Sequence, residues 1–195
     1  MTKSVAIVGK AATAALAPYD DPAWDIWGLA WVKYPRQTLL FDIHSPSFKA
    51  EPPFTEHFNS HKNPSYFERV NGENVPVMCD PEAIGDGLRF AHGVPYPMDE
   101  VAADLPRIYL DCTVSYMLAL AILQKVDRIA LWGCHFAVRE EFRIQLPSVT
   151  WLCGLAEGRG IELTIGPGAP LLTSGYEAGR YGVNQNARFT GRGNI

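Results

Sequence analysis

Short apolar runs closed by glycine or proline alternate along this chain with longer apolar stretches, the pattern of buried strands alternating with helices. Ser4-Val-Ala-Ile-Val8, followed by Gly9 and small residues, reads as a first buried strand turning into a helix. Asp25–Ala30, after a turn at Pro18–Pro22, reads as a second strand, and Thr38–Ile43, ending at His44-Ser45-Pro46, as a third. From Pro46 to Pro97 the pattern breaks down into an irregular insertion rich in proline, asparagine and aromatics. It holds a short helix near Pro64–Val70 and a short strand near Val75–Met78. Met98–Asp104, with acids in its first turn, predicts a short helix.

The second half is more regular. Thr113–Gln124 lacks glycine and proline and predicts a buried helix capped by Asp111 or Thr113. Asp127–Trp132 predicts a strand ending in Gly133-Cys134-His135. Pro147–Arg159 predicts a helix stopped by Gly158 and Gly160, and Ile161–Ile165 a last strand halted by Gly166-Pro167-Gly168. The alternation predicts a single α/β domain with a mainly parallel sheet over residues 1–175. Residues 176–195, with Arg180, Arg188 and Arg192 among glycines and asparagines, read as an extension.

The 195 residues are 47% hydrophobic and 19% charged, which fits one globular domain and excludes a disordered chain. A net charge of −4 does not indicate wrapping of a nucleic-acid backbone by the whole surface, though a nucleic acid stays open as an acceptor. The cysteines Cys79, Cys112, Cys134 and Cys153 form no CxxC pair, and the last three sit in apolar segments, as expected of buried thiols in a reducing compartment. The opening apolar run is too short for a signal peptide and Val114–Leu123 too short for a bilayer, so a soluble, cytoplasmic protein is expected, with no membrane partner.

Candidate chemistry gathers at the predicted strand ends. The loop at Gly9, Lys10 and Thr13 could hold a phosphate through backbone amides and a lysine charge; the alternative is a tight turn. It has neither a full GxGxxG nor a Walker pattern. His44 and His135 each follow a predicted strand and can exchange protons near neutral pH. His57 and His61 lie in a polar loop without metal-ligand spacing, and no metal is expected. Arg139, Glu140, Glu141 and Gln145 follow His135 closely. Trp24, Trp27, Trp31 and Tyr34 are expected to pack in the core or line a site. With the tail, this tryptophan-rich edge leaves a homo-oligomer open.

Cys112-Thr113-Val114-Ser115-Tyr116-Met117, Ala119 and Ala121-Ile122, followed by Ile129, Leu131, Gly133 and His135-Phe136, resemble a known pairing of helix TSGxYMxAxAI with strand GxxxIxLxGxDF. That pairing belongs to the campylobacter-type bacterial sialyltransferases and their Rossmann-like clan, which includes phage proteins, and the resemblance implies a Rossmann-like three-layer domain. VAIVGKAAT occupies the place of the family's VIIAGNGPS loop, and IELTIGPGAPLL resembles its late strand. The resemblance implies a nucleotide site at Gly9, Lys10, Thr113, Gly133 and the backbone around Cys134, with His44 near the nucleotide sugar. It departs at Lys10-Ala11-Ala12, at Ala30 where an asparagine is expected, and at His135 where the family has aspartate. No histidine stands between Ala137 and Pro147.

The resulting expectation is a nucleotide-sugar-dependent, glycosyltransferase-like protein, phage-encoded and so acting in the host cytoplasm, on a small molecule or modified nucleobase. The nucleotide or nucleotide sugar is its ligand, with no tightly bound cofactor. His135, His44 or Glu141 would deprotonate the acceptor, while Arg180 or Arg188 would close over the departing phosphate. Two alternatives stand beside it: a non-catalytic protein that sequesters or senses a nucleotide, and N-glycosidic hydrolysis by Glu140 or Glu141.

Overall fold

The computed structural model describes residues 2–45, 64–85, 87, 89–136, 141–167, 169 and 171–172, with the backbone alone at 141 and 142. Its frame is one seven-stranded sheet: β1 (Ser4–Val8), β2 (Trp24–Leu29), β3 (Leu39–Asp42), β4 (Val77–Cys79), β5 (Gly93–Pro95), β6 (Arg128–Trp132) and β7 (Glu162–Ile165), in the order β5-β4-β3-β2-β1-β6-β7. Every pairing is parallel. All five residues of β1 are buried, as a central parallel strand covered on both faces requires. The fold is the expected Rossmann-like α/β class.

Alternation along β1 sends its side chains to two separate cores. Val5 and Ile7 pack with α2 (Met98–Asp104), α3 (Thr113–Leu123) and α4 (Leu146–Gly158) on one face. Ala6 and Val8 pack on the other face with Ala14 and Ala17, from a 3₁₀ turn at Ala12–Leu16 and its end. Farther along that face, α1 (Pro64–Gly72) buries Tyr66, Phe67 and Val70 against Leu40, Val77 and Phe90. Three aromatic rings, Tyr66, Phe67 and Phe90, meet there at centroid distances of 5.1–5.9 Å.

Several elements depart from the sequence reading in instructive ways. Within residues 64–97 the expected helix and strand form α1 and β4, and β5, which was not expected, joins β4 at the edge of the main sheet. β5 lacks apolar alternation because it is a three-residue edge strand that carries Pro95. The cap of α3 is neither Asp111 nor Thr113 but Cys112: its amide donates to Ser115 Oγ at 3.1 Å, and that hydroxyl donates back to the Cys112 carbonyl at 2.6 Å. Gly158 is the last residue of α4, and Gly160, at φ +82°, makes the left-handed turn that ends it. The tail from Tyr176, with Arg180, Arg188 and Arg192, lies outside the described residues, as do His57 and His61.

Candidate functional site at the carboxyl edge of the sheet

The strand order reverses between β1 and β6. Later strands extend from β1 through β2 to β5, then the chain returns to the other side of β1. The carboxyl ends of β1 and β6 therefore form the topological switch point, where sheets of this kind place a ligand crevice. Helix α3 points its N-terminus to this edge, because Tyr96, just past β5, donates its hydroxyl to the Tyr116 carbonyl in the first turn at 3.0 Å. Its far end meets the opposite edge, where the Asp127 amide bonds the Lys3 carbonyl. Thr113 thus stands at the predicted edge, half-buried in the first turn of α3.

Gly9 and Gly133 set how closely the two loops approach. A Cβ on Gly9 would lie 2.4 Å from the Gly133 carbonyl oxygen, and one on Gly133 would lie 2.9 Å from Ala14 Cβ. Gly133 also holds φ +66°, so it needs glycine on both counts. With the side chains absent, the Gly9 amide donates to the Trp132 carbonyl at 2.8 Å and the Ala11 amide to the Gly133 carbonyl at 3.1 Å. Two amides of the phosphate-loop expectation therefore serve to join β1 to β6. Lys10, exposed, stands between them.

Thr13 and His135 meet at this switch point. The Thr13 Oγ1 and His135 Nε2 lie 2.7 Å apart, and the Gly133 amide donates to the same hydroxyl at 3.2 Å. Phe136, at φ +48°, follows in a conformation that bulky side chains rarely adopt, so Gly133 and Phe136 bracket a sharp turn that aims His135. Between them Cys134 is buried and its thiol pushed up to about 12, chiefly by burial, so it contributes backbone and packing but no thiolate near neutral pH. Cys112, at the cap of α3, is close enough to add to that shift.

A second histidine site lies at the end of β3. His44 Nδ1 is 3.0 Å from Asp42 Oδ1, and the His44 amide reaches the same oxygen at 3.4 Å. Asp42 is fully buried, and Tyr66 of α1 donates to its Oδ2 at 2.6 Å. Burial and the neighbouring Asp42 charge together hold the Tyr66 phenol well above its ordinary range, so it stays a donor. Asp42 and Tyr66 were not picked out from the sequence. The signal available was Asp42-Ile43-His44, because residues two apart on a strand share a face.

The β2 end ties these sites together. Tyr34 is buried and donates to the Val8 carbonyl at 2.9 Å while accepting from the Leu29 amide at 3.2 Å. Trp31 brings its ring centroid to 6.4 Å from that of His44. Trp27 packs on Phe41 in the core, and Trp24 meets Arg128 near the opposite edge, so these aromatics pack or line as expected. Ala30, where the family pattern has asparagine, is fully buried and offers its carbonyl to Arg69 Nη2 at 2.6 Å.

Glu141 opens a π-type turn at Glu141–Gln145 that leads into α4, and its side chain is not among those described. Arg139, Glu140 and Arg180 lie outside the described residues. Among the described residues no three His, Cys, Asp or Glu side chains are grouped to hold a metal, and no helix is long and apolar enough to cross a membrane. A groove of about 710 Å³ lies at the amino edge, lined by Asp104, Lys125, Asp127, Arg128 and Arg159 among others. It is at the end of the sheet opposite both histidines, and its charges offset one another.

No family model and no curated protein matches this chain. Two solved structures are similar, both of the sialyltransferase CstII from Campylobacter jejuni. The complex with cytidine-5'-monophosphate shares 15% identity over 87% of this chain and 82% of that one, at a TM-score of 0.47. The complex with CMP-3FNeuAc shares 14% over 88% and 84%, at 0.48.

Proposed function

We propose that this protein is a nucleotide-sugar-dependent glycosyltransferase whose nucleotide lies in the crevice between the β1 and β6 loops. The observation that carries this reading is the convergence on that crevice of Thr13, His135 and the glycine-packed loops, with a second histidine two strands away at β3. Lys10 and the N-terminus of α3 at Thr113 would favour the phosphate, as a cation and as the positive end of a helix dipole. The strand spacing of about 4.8 Å places the β3 end roughly 10 Å from β1, a distance the sugar of a bound nucleotide sugar would cover. An acceptor hydroxyl beside the anomeric carbon would then lie within reach of a proton acceptor. Burial pushes the Cys134 thiol up to about 12, which disfavours its thiolate as a nucleophile.

Thermal denaturation against a panel of nucleotides and nucleoside mono- and diphosphate sugars tests the reading. A ligand present at a hundredfold excess over its dissociation constant stabilises the fold by about 2.7 kcal/mol, a measurable rise in Tm. At least one nucleotide is expected to raise it at millimolar concentration. If none does, the crevice is not a nucleotide site.

A further inference from the structure

The two histidines at the carboxyl edge are held by partners of different chemical kind. His135 faces a neutral hydroxyl, Thr13 Oγ1 at 2.7 Å, and that oxygen is itself bonded to the Gly133 amide. This arrangement fastens the β6 turn to the β1 loop, which suits a residue that shapes a binding crevice. His44 faces a carboxyl group, Asp42 Oδ1 at 3.0 Å, and its side chain is 35% exposed while Asp42 is wholly buried. Tyr66 fixes the other carboxyl oxygen at 2.6 Å, so the Asp42 side chain cannot turn away from the ring. A buried carboxylate accepting from Nδ1–H selects one imidazole tautomer, places the lone pair on Nε2, and stabilises the ring once protonated. A hydroxyl partner supplies none of the last effect.

We infer that His44 is the proton acceptor of the transfer reaction, that Asp42 is its positioning carboxylate with Tyr66 holding Asp42 in place, and that His135 serves nucleotide binding. This division of labour rests on the transferase reading given above. In the step, the acceptor oxygen forms a bond to the anomeric carbon of the donor sugar as its proton passes to His44 Nε2. The bond from that carbon to the phosphate oxygen breaks, and its electron pair leaves with the nucleotide. The imidazolium then returns its proton to water. No oxidant or metal is needed for the balance.

Two measurements test it, one of which needs no ligand. In ¹⁵N-histidine-labelled wild-type protein, the neutral His44 ring is expected to show the Nδ1–H tautomer. An Nε2–H tautomer would overturn the assignment whether or not any nucleotide binds. Asp42→Asn is expected to abolish that preference; should it fail to fold, Tyr66→Phe, which leaves the carboxyl in place, is expected to broaden it.

The second measurement compares affinity with turnover on whichever donor the panel identifies. His44→Ala is expected to keep nucleotide affinity within about twofold while turnover falls roughly 10²- to 10⁴-fold. His135→Ala is expected to weaken nucleotide binding itself. Wild-type turnover in His44→Ala would overturn the inference and leave the nucleotide site standing. Absence of any ligand would remove the transferase reading while the tautomer result still stood on its own.

Discussion

Single atoms decide how the crevice is built, and Gly9 is the sharpest case. Its added Cβ would meet the backbone oxygen of Gly133 at 2.4 Å, a partner that cannot swing aside as a flexible side chain would. Gly9→Ala is expected to cost about 1–3 kcal/mol of stability, the usual range for overpacking, read as a lowered denaturation midpoint. Gly154, exposed within α4 with nothing within 4 Å of its added Cβ, is the control. Gly154→Ala is expected to raise stability by about 0.5–1 kcal/mol, because alanine loses less backbone freedom in a helix. Thr13→Val removes the hydroxyl shared by His135 and the Gly133 amide while nearly keeping its shape. It is expected to cost about 1–3 kcal/mol, the penalty for unpartnered groups, and to weaken nucleotide affinity in the same titration.

Among the elements, what could be read in advance follows from how local the determining contacts are. β1 and α3 declare themselves because Val5–Val8 and Met117–Leu123 are apolar runs, and their boundaries follow from Gly9 and from the residues flanking the helix. β5 was invisible because Gly93-Val94-Pro95 has no pattern of its own. Its place is set by pairing with Val77, Met78 and Cys79 on β4. Likewise His44 was legible as a residue at a strand end, but its partner was not: Asp42 looked like one more strand position, and Tyr66 comes from a helix 24 residues on. The Cys112 cap escaped because the motif of a capping serine or aspartate is replaced by the Ser115 hydroxyl bonding backward. Within α1, Arg69 holds Ala30 and pairs with Glu73 at 2.7 Å. Arg69→Ala is therefore expected to loosen the β2 end, seen as faster amide exchange at Ala30 and Trp31 with little change in α3.

For the molecule as a whole, the buried thiols give stability a defined dependence on pH. Burial pushes Cys79, Cys134 and Cys153 from 9.0 up to about 12 in the folded state. An acid whose folded pKa is raised favours folding fully below the unfolded value. That advantage declines as pH rises from about 9 toward 12, because only the unfolded chain then releases the proton. The urea midpoint is expected to fall across this alkaline window, and less steeply in Cys153→Ala. Rising midpoints there would contradict the burial of these thiols. The parallel sheet has its switch between β1 and β6, and the Thr13 and His135 pair and the Asp42 and His44 pair stand at the carboxyl ends of β6 and β3.

The fate of a bound nucleotide sugar tests the proposed transfer most directly. The protein is incubated with the stabilising donor and candidate hydroxyl acceptors, denatured, and the small molecules are read by mass spectrometry. Free nucleotide, together with the sugar joined to an acceptor, is the predicted result. Tight binding followed by full recovery of the intact donor would contradict it and mark the protein as a sequestering one.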